Sequence, residues 1–203
     1  MPPFIWQTDS VVVVSAFEKR HHNPDAGALL AWAAWTVDGL RYLDDIDRAF
    51  DGTRTCVGLH RPDVVDVSHA RWATGTCITA LDLCAAALAR TFCGHSGVHE
   101  VDLADLCPTS RRAATLRVNL PPAALQWADD VCRDQDYSTV KEARNWLVHS
   151  RVKRHFAIGG SRPPPRLELE SGSTRLPVRK LIELSVAIAE RHVPALFAKL
   201  PLL

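Results

Sequence analysis

The chain has 203 residues, 47% of them hydrophobic and 23% charged, the make-up of a globular protein long enough to bury a substantial core. A formal net charge of +1 excludes a global positive field, so any nucleic-acid contact has to rest on a local cluster of cations. The amino terminus lacks the basic and apolar regions of an export signal, and apolar runs such as Val11–Val14 and Ala85–Ala89 fall far short of the roughly 20 residues that cross a bilayer. The expectation is a soluble cytoplasmic protein with no membrane contact, folded as one domain over residues 1–203.

Residues 1–24 suit a strand through the β-branched run Val11–Val14, or a short helix capped near Thr8-Asp9-Ser10 and ending before Asn23-Pro24. The helix is preferred, because Lys19, Arg20, His21 and His22 would then sit at its favourable carboxyl end. From Asp25, the residues Leu29, Trp32, Ala33, Thr36, Leu40, Leu43 and Ile46 recur at three- and four-residue steps, which predicts a long amphipathic helix to about Phe50 with Trp32 and Trp35 in its core. The segment 52–66 reads as a connection. A second long helix is expected from about Val67-Ser68 to Phe92, apolar over much of its surface and therefore central.

Cys93, His95, His99 and Cys107 are residue types that bind zinc, but their spacing is not that of a zinc site, and the expectation is a loop without metal. With no export signal, the six cysteines are expected to be reduced, and Cys77 and Cys84, seven apart on one helical face, to be core packing. Pro121-Pro122 open a further helix. The acidic cluster Asp129, Asp130, Asp134 and Asp136 reads as a solvated face, because most of it would lie at that helix's carboxyl end.

The next helix, predicted over about Thr139 to His149, carries the chemistry. At 100° per residue, Val140, Ala143 and Leu147 face inward, Asn145 and His149 share another side, and Arg144 lies between the two sectors. These groups suit cleavage of RNA by its own 2′-hydroxyl. An imidazole at His149 can move a proton at neutral pH, the Arg144 guanidinium can hold the phosphate oxygens in two parallel hydrogen bonds, and Asn145 can orient either partner. Arg followed five positions later by His recurs at Arg90 and His95, so the later pair is distinguished by Asn145, one of three asparagines, and by its regular helical setting. One histidine cannot supply both a base and an acid, which points to a homodimer that shares a composite site across a two-fold axis.

Just beyond, Arg151, Lys153, Arg154 and His155 form a basic cluster. Arg151, Lys153 and Arg154 are candidate RNA-binding residues, on what is read as the first strand of a small β-hairpin spanning about 152–170. A last helix starts at Pro177 and is ended or kinked at Pro194. The fold class is therefore all-α, a bundle of four to five helices with a hairpin between the motif helix and the final helix.

Arg144-Asn145-Trp146-Leu147-Val148-His149 resembles the Arg, polar residue, then His signature of HEPN domains, helical bundles found in prokaryotic toxins, phage-defence proteins and RNA-processing factors. The resemblance implies a metal-independent endoribonuclease that needs no cofactor, with Arg144, Asn145 and His149 as its catalytic set. It also implies dimerisation and a possible antitoxin or defence-complex partner. Some toxin members carry a modifiable Tyr two residues after the His, where this chain has Arg151. Two alternatives stay open: a non-catalytic RNA- or nucleotide-binding module of this fold, and a dimerising scaffold subunit of a larger defence assembly.

Overall fold

The architecture is governed by one alanine-rich helix. In a computed structural model, which describes residues 5–51, 62–94, 101–149, 168–171 and 174–203, that helix is α3 (Pro62–Phe92). Between Ala80 and Ala89 every residue except Asp82 is buried. Small side chains on several faces let helices approach from more than one side, and α3 lies between α2 (Pro24–Asp51) and α8 (Val178–Lys199).

A second layer forms on α2. Helix α1 (Ile5–His21) packs along it, closely enough at Gly27 that an added Cβ would stand 2.8 Å from Glu18 Oε2. The same Cβ would stand 3.2 Å from Glu18 Cβ, so glycine eases the close approach of the two helices, and a larger residue would make the Glu18 side chain shift. On the other side of α3 and α8 lie α6 (Pro122–Arg133) and α7 (Gln135–His149). Two single-turn helices, α4 (Leu103–Leu106) and α5 (Ala113–Leu116), seal the α3–α6 corner with buried Leu103, Leu106 and Leu116. The result is a helical bundle whose buried side chains form a continuous cluster from Val14 to Leu200.

Strands β1 (Glu168–Ser171) and β2 (Thr174–Pro177) pair antiparallel, with Leu169 opposite Leu176. The hairpin expected over 152–170 falls largely outside the described residues, and the ladder present is a shorter one lying downstream. Pro177 ends β2 and α8 begins at Val178. Pro194 sits within α8, which continues to Lys199.

Several expectations are corrected. Residues Ile5–His21 are helical, and Thr8-Asp9-Ser10 lie inside that helix, so they do not cap it. Trp32 and Trp35, expected in the core, are 63% and 70% exposed. Apolar residues surround α2, and these two lie on its outward side, away from buried Leu29, Leu30, Ala33 and Val37. Within Ser68–Phe92, α3 contains an 18-residue stretch apolar enough to cross a bilayer, which inspection of unbroken apolar runs missed. Of that stretch 72% is buried inside the protein, as in the core helix of a bundle.

The cysteine expectation also fails in part. Cys107 and Cys132 form a disulfide joining the end of α4 to α6, a bond of the kind that persists in oxidising surroundings. Cys107 is thereby removed from the candidate zinc set, while His95 and His99 lie outside the described residues. Cys77 and Cys84 are free and buried as expected, and burial pushes the Cys77 thiol up to about 12.

Candidate functional site

Helix α7 starts four residues earlier than its pattern predicts because the acidic residues before it are not a solvated loop. Asp134 accepts hydrogen bonds from the Asp136 backbone N–H (2.8 Å) and from Arg191 Nη1 (2.6 Å), and its Oδ2 lies 2.7 Å from His192 Nε2. Burial works to raise the Asp134 carboxyl, but His192, the Asp136 N–H and Arg191 together hold it below its ordinary value. Asp136 falls in the first turn of α7, where the helix dipole favours it. Trp127, fully buried, donates from Nε1 to the His192 carbonyl at 2.8 Å, so α6, α7 and α8 meet in one clamp. Asp129 is also paired: the Arg117 guanidinium 2.8 Å away holds its carboxyl low.

The clamp fixes the rotation of α7, and the wheel then sets the site. Val140, Ala143 and Leu147 are buried, and Val148 is partly exposed. Arg144 is half-buried at the edge of this sector, and its Nη1 donates to Asn145 Oδ1 at 3.1 Å on the exposed side. Lys141 Nζ stands over the Tyr137 ring, 5.8 Å from its centre. His149 is the last residue of α7, five positions and about 7.5 Å of helical rise beyond Arg144. Its side chain, and all of Arg151, Lys153, Arg154 and His155, lie outside the described residues. The rival spacing at Arg90 has a structural use: Arg90 Nη2 pairs with Asp25 Oδ2 at 2.7 Å.

One residue of the site was missed in the sequence. Asp82 lies on α3, and its Oδ1 accepts the Leu103 N–H at the start of α4 at 3.0 Å. Burial is the main cause that pushes this carboxyl up to about 6, and nearby Asp102 adds to it. The Leu103 N–H and the charges of Lys141 and Arg144 act in the opposite direction. Tyr137, buried near the same group, has its phenol raised by burial and by Asp82. A signal existed: Asp82 is the single charge between Arg71 and Arg90, and it interrupts the stretch Ala80–Ala89 whose other residues are all buried. A lone carboxylate on such a face is costly unless paired or used.

The α3–α7 side of the bundle thus carries Asp82, a carboxyl pushed up to about 6, within electrostatic reach of two cations of α7, Lys141 and Arg144, the latter bonded to Asn145. Among the described residues, no group of three or more His, Cys, Asp or Glu is arranged to hold a metal. The chain matches no protein-family model, no curated protein and no solved structure.

Proposed function

We propose that the α3–α7 surface is the active site of a metal-independent endoribonuclease, of the HEPN type that Arg144-Asn145-x3-His149 resembles. What supports this reading is that Arg144, a permanent cation on α7, acts electrostatically on Asp82 of α3, a carboxyl that burial pushes up to about 6. Arg144 binds the non-bridging oxygens of the phosphate as charge builds on them, and Asn145 holds the guanidinium plane through its 3.1 Å hydrogen bond. The 2′-hydroxyl oxygen attacks the adjacent phosphorus while its proton passes to the Asp82 carboxylate. The bond to the 5′-oxygen breaks, and protonated His149 supplies that oxygen with a proton. The products are a cyclic phosphate and a free 5′-hydroxyl.

In this scheme one chain holds both proton-transfer groups. The alternative source of the second group is another copy of His149 across a two-fold axis. The two schemes separate on Asp82→Asn, which keeps an oxygen to accept the Leu103 N–H but cannot take a proton. Purified protein is incubated with total RNA and excess chelator. The expected outcome is cleavage that falls at least 100-fold in Arg144→Ala, His149→Ala and Asp82→Asn. Full activity in Asp82→Asn would move the second proton transfer to a partner copy. Retention of intact RNA without cleavage would support the binding module, and a metal requirement would overturn the mechanism.

A further inference from the structure

We propose that the groove between α1 and α2 binds an elongated aliphatic dication, two ammonium groups joined by a methylene chain. The two helices run antiparallel about the tight connection His22-Asn23, where Asn23 Oδ1 accepts the Ala26 N–H at 3.1 Å. Between them lies a cavity of about 500 Å³, a volume usual for a small-molecule site. Its apolar lining includes Val14, Ala31, Ala34, Trp35, Val37 and Val193. The three valines are buried, the two alanines half-buried and Trp35 exposed, so the groove has an apolar floor, a slope of small side chains and an aromatic wall.

The charged groups that line this groove are both carboxylates, Glu18 and Asp38. Glu18 is half-buried, with Oε2 folded against α2 at Gly27, and no hydrogen bond or ion pair engages its carboxylate among the described residues. Asp38 has one loose ion pair, to Arg41 Nη1 at 3.5 Å, and that guanidinium is also bound by Glu190. Gly27 and Asp38 are eleven residues apart on α2, about 16 Å along its axis and the reach of about a dozen methylenes. A negative group therefore stands at each end of an apolar trough.

Ser10 points to a ligand independently of the charges. It lines the cavity and is 7% exposed, yet its hydroxyl has no hydrogen-bond partner among the described residues. Buried hydroxyls are normally satisfied. Ser10 lies eight residues before Glu18, about 12 Å back along α1 and so toward the Asp38 end of the groove. An ammonium seated there donates to both Ser10 and Asp38, and a second one at the Gly27 end donates to Glu18. The methylenes between them cover Ala31 and Ala34 beside the Trp35 ring. An anion meets a carboxylate at either end and is repelled, while a wholly apolar ligand leaves Ser10 and Glu18 unpaired. The groove belongs to α1 and α2 and the ribonuclease reading to α3 and α7, so each can fail alone.

The test is calorimetric titration of the full chain with diaminododecane, with diaminobutane and dodecanedioate as controls. Diaminododecane is expected to bind one to one, and diaminobutane, too short to reach both ends, at least about 10-fold more weakly. Glu18→Gln and Asp38→Asn should each weaken diaminododecane by at least about 10-fold, and Ala31→Leu, which fills the trough, should abolish its binding, all with unchanged helical circular dichroism. No binding to the native chain, or several equivalents bound, overturns the proposal. So does dodecanedioate binding as tightly as the diamine, which would make the groove merely apolar. Equal affinity for diaminobutane, or sensitivity to only one of the two carboxylates, overturns the two-ended site. Unchanged binding in folded Ala31→Leu places the diamine elsewhere and overturns it as well.

Discussion

Asp82 occupies a position where an apolar side chain would pack at lower cost, and that cost can be measured. Its folded carboxyl titrates near 6, while an unfolded Asp titrates near 3.9. Between those values the folded chain holds more protons than the unfolded one, so this residue makes stability fall as pH rises from about 4 to about 6. The shift corresponds to about 2–3 kcal/mol. Asp82→Asn removes the titration while keeping an acceptor for the Leu103 N–H. Urea unfolding is therefore expected to find Asp82→Asn about 2 kcal/mol more stable than the native chain at pH 8 and no different below pH 4. The same substitution should abolish RNA cleavage, and a residue that costs stability but carries activity is the signature of a site. Equal stability at pH 8 would mean that Asp82 is not desolvated, and the argument for its role would lose its base.

At the scale of elements, the α6–α7 junction is held by the buried pair Asp134 and His192. Asp134 has 9% of its side chain exposed and His192 7%, and both are satisfied mainly by each other, by Arg191 and by the Asp136 N–H. Asp134→Ala leaves the imidazole without its partner and frees the start of α7. The expected loss is about 3 kcal/mol at pH 7, read from the urea midpoint. Because the folded Asp134 carboxyl is held below its unfolded value, its contribution is complete above about pH 4 and disappears as pH falls through the folded pKa. The native and Asp134→Ala chains should therefore converge in strong acid. A constant difference down to pH 2 would mean that Asp134 acts through packing and not through its charge.

This junction also marks the boundary of what the sequence made legible. The body of α2 and the start of α6 follow from apolar periodicity and from Pro121-Pro122, and both are helices over nearly the expected spans. Asp134 and Asp136 were misread because their partners, His192 and Arg191, lie more than fifty residues away, and no local pattern announces a distant pair. The Cys107–Cys132 bond was hidden for a related reason: the expectation of reduced thiols rested on an inference about compartment, not on where the chain brings the two sulfurs. Trp32 and Trp35 were legible as apolar but not as outward, since periodicity locates a stripe without saying what covers it. In the site, the inward set Val140, Ala143 and Leu147 and the exposed Asn145 follow from the wheel alone. Asp82 required the fold, which carries α3 against α7.

Across the whole molecule, the near-zero net charge bears on the proposed ribonuclease reading. With a formal charge of +1 there is no long-range attraction, so on the proposed ribonuclease reading RNA has to be held by cations that reach the phosphates directly. Lys141 and Arg144 stand on α7, and Arg151, Lys153 and Arg154 follow it in the chain. If all five contact a single strand, the logarithm of affinity should fall against the logarithm of salt with a slope of about −3.5, from roughly −0.7 per phosphate neutralised. Removing Arg151, Lys153 and Arg154 together should flatten the slope to about −1.4 while leaving Arg144 to position the scissile phosphate. Fluorescence anisotropy of a labelled single-stranded RNA between 50 and 200 mM salt, a range over which such contacts respond strongly, reads both slopes. Using Asp82→Asn for these titrations prevents cleavage from distorting them, since that substitution leaves every cation in place. An unchanged slope in the triple variant would exclude the segment after α7 from the RNA track and confine recognition to Lys141 and Arg144.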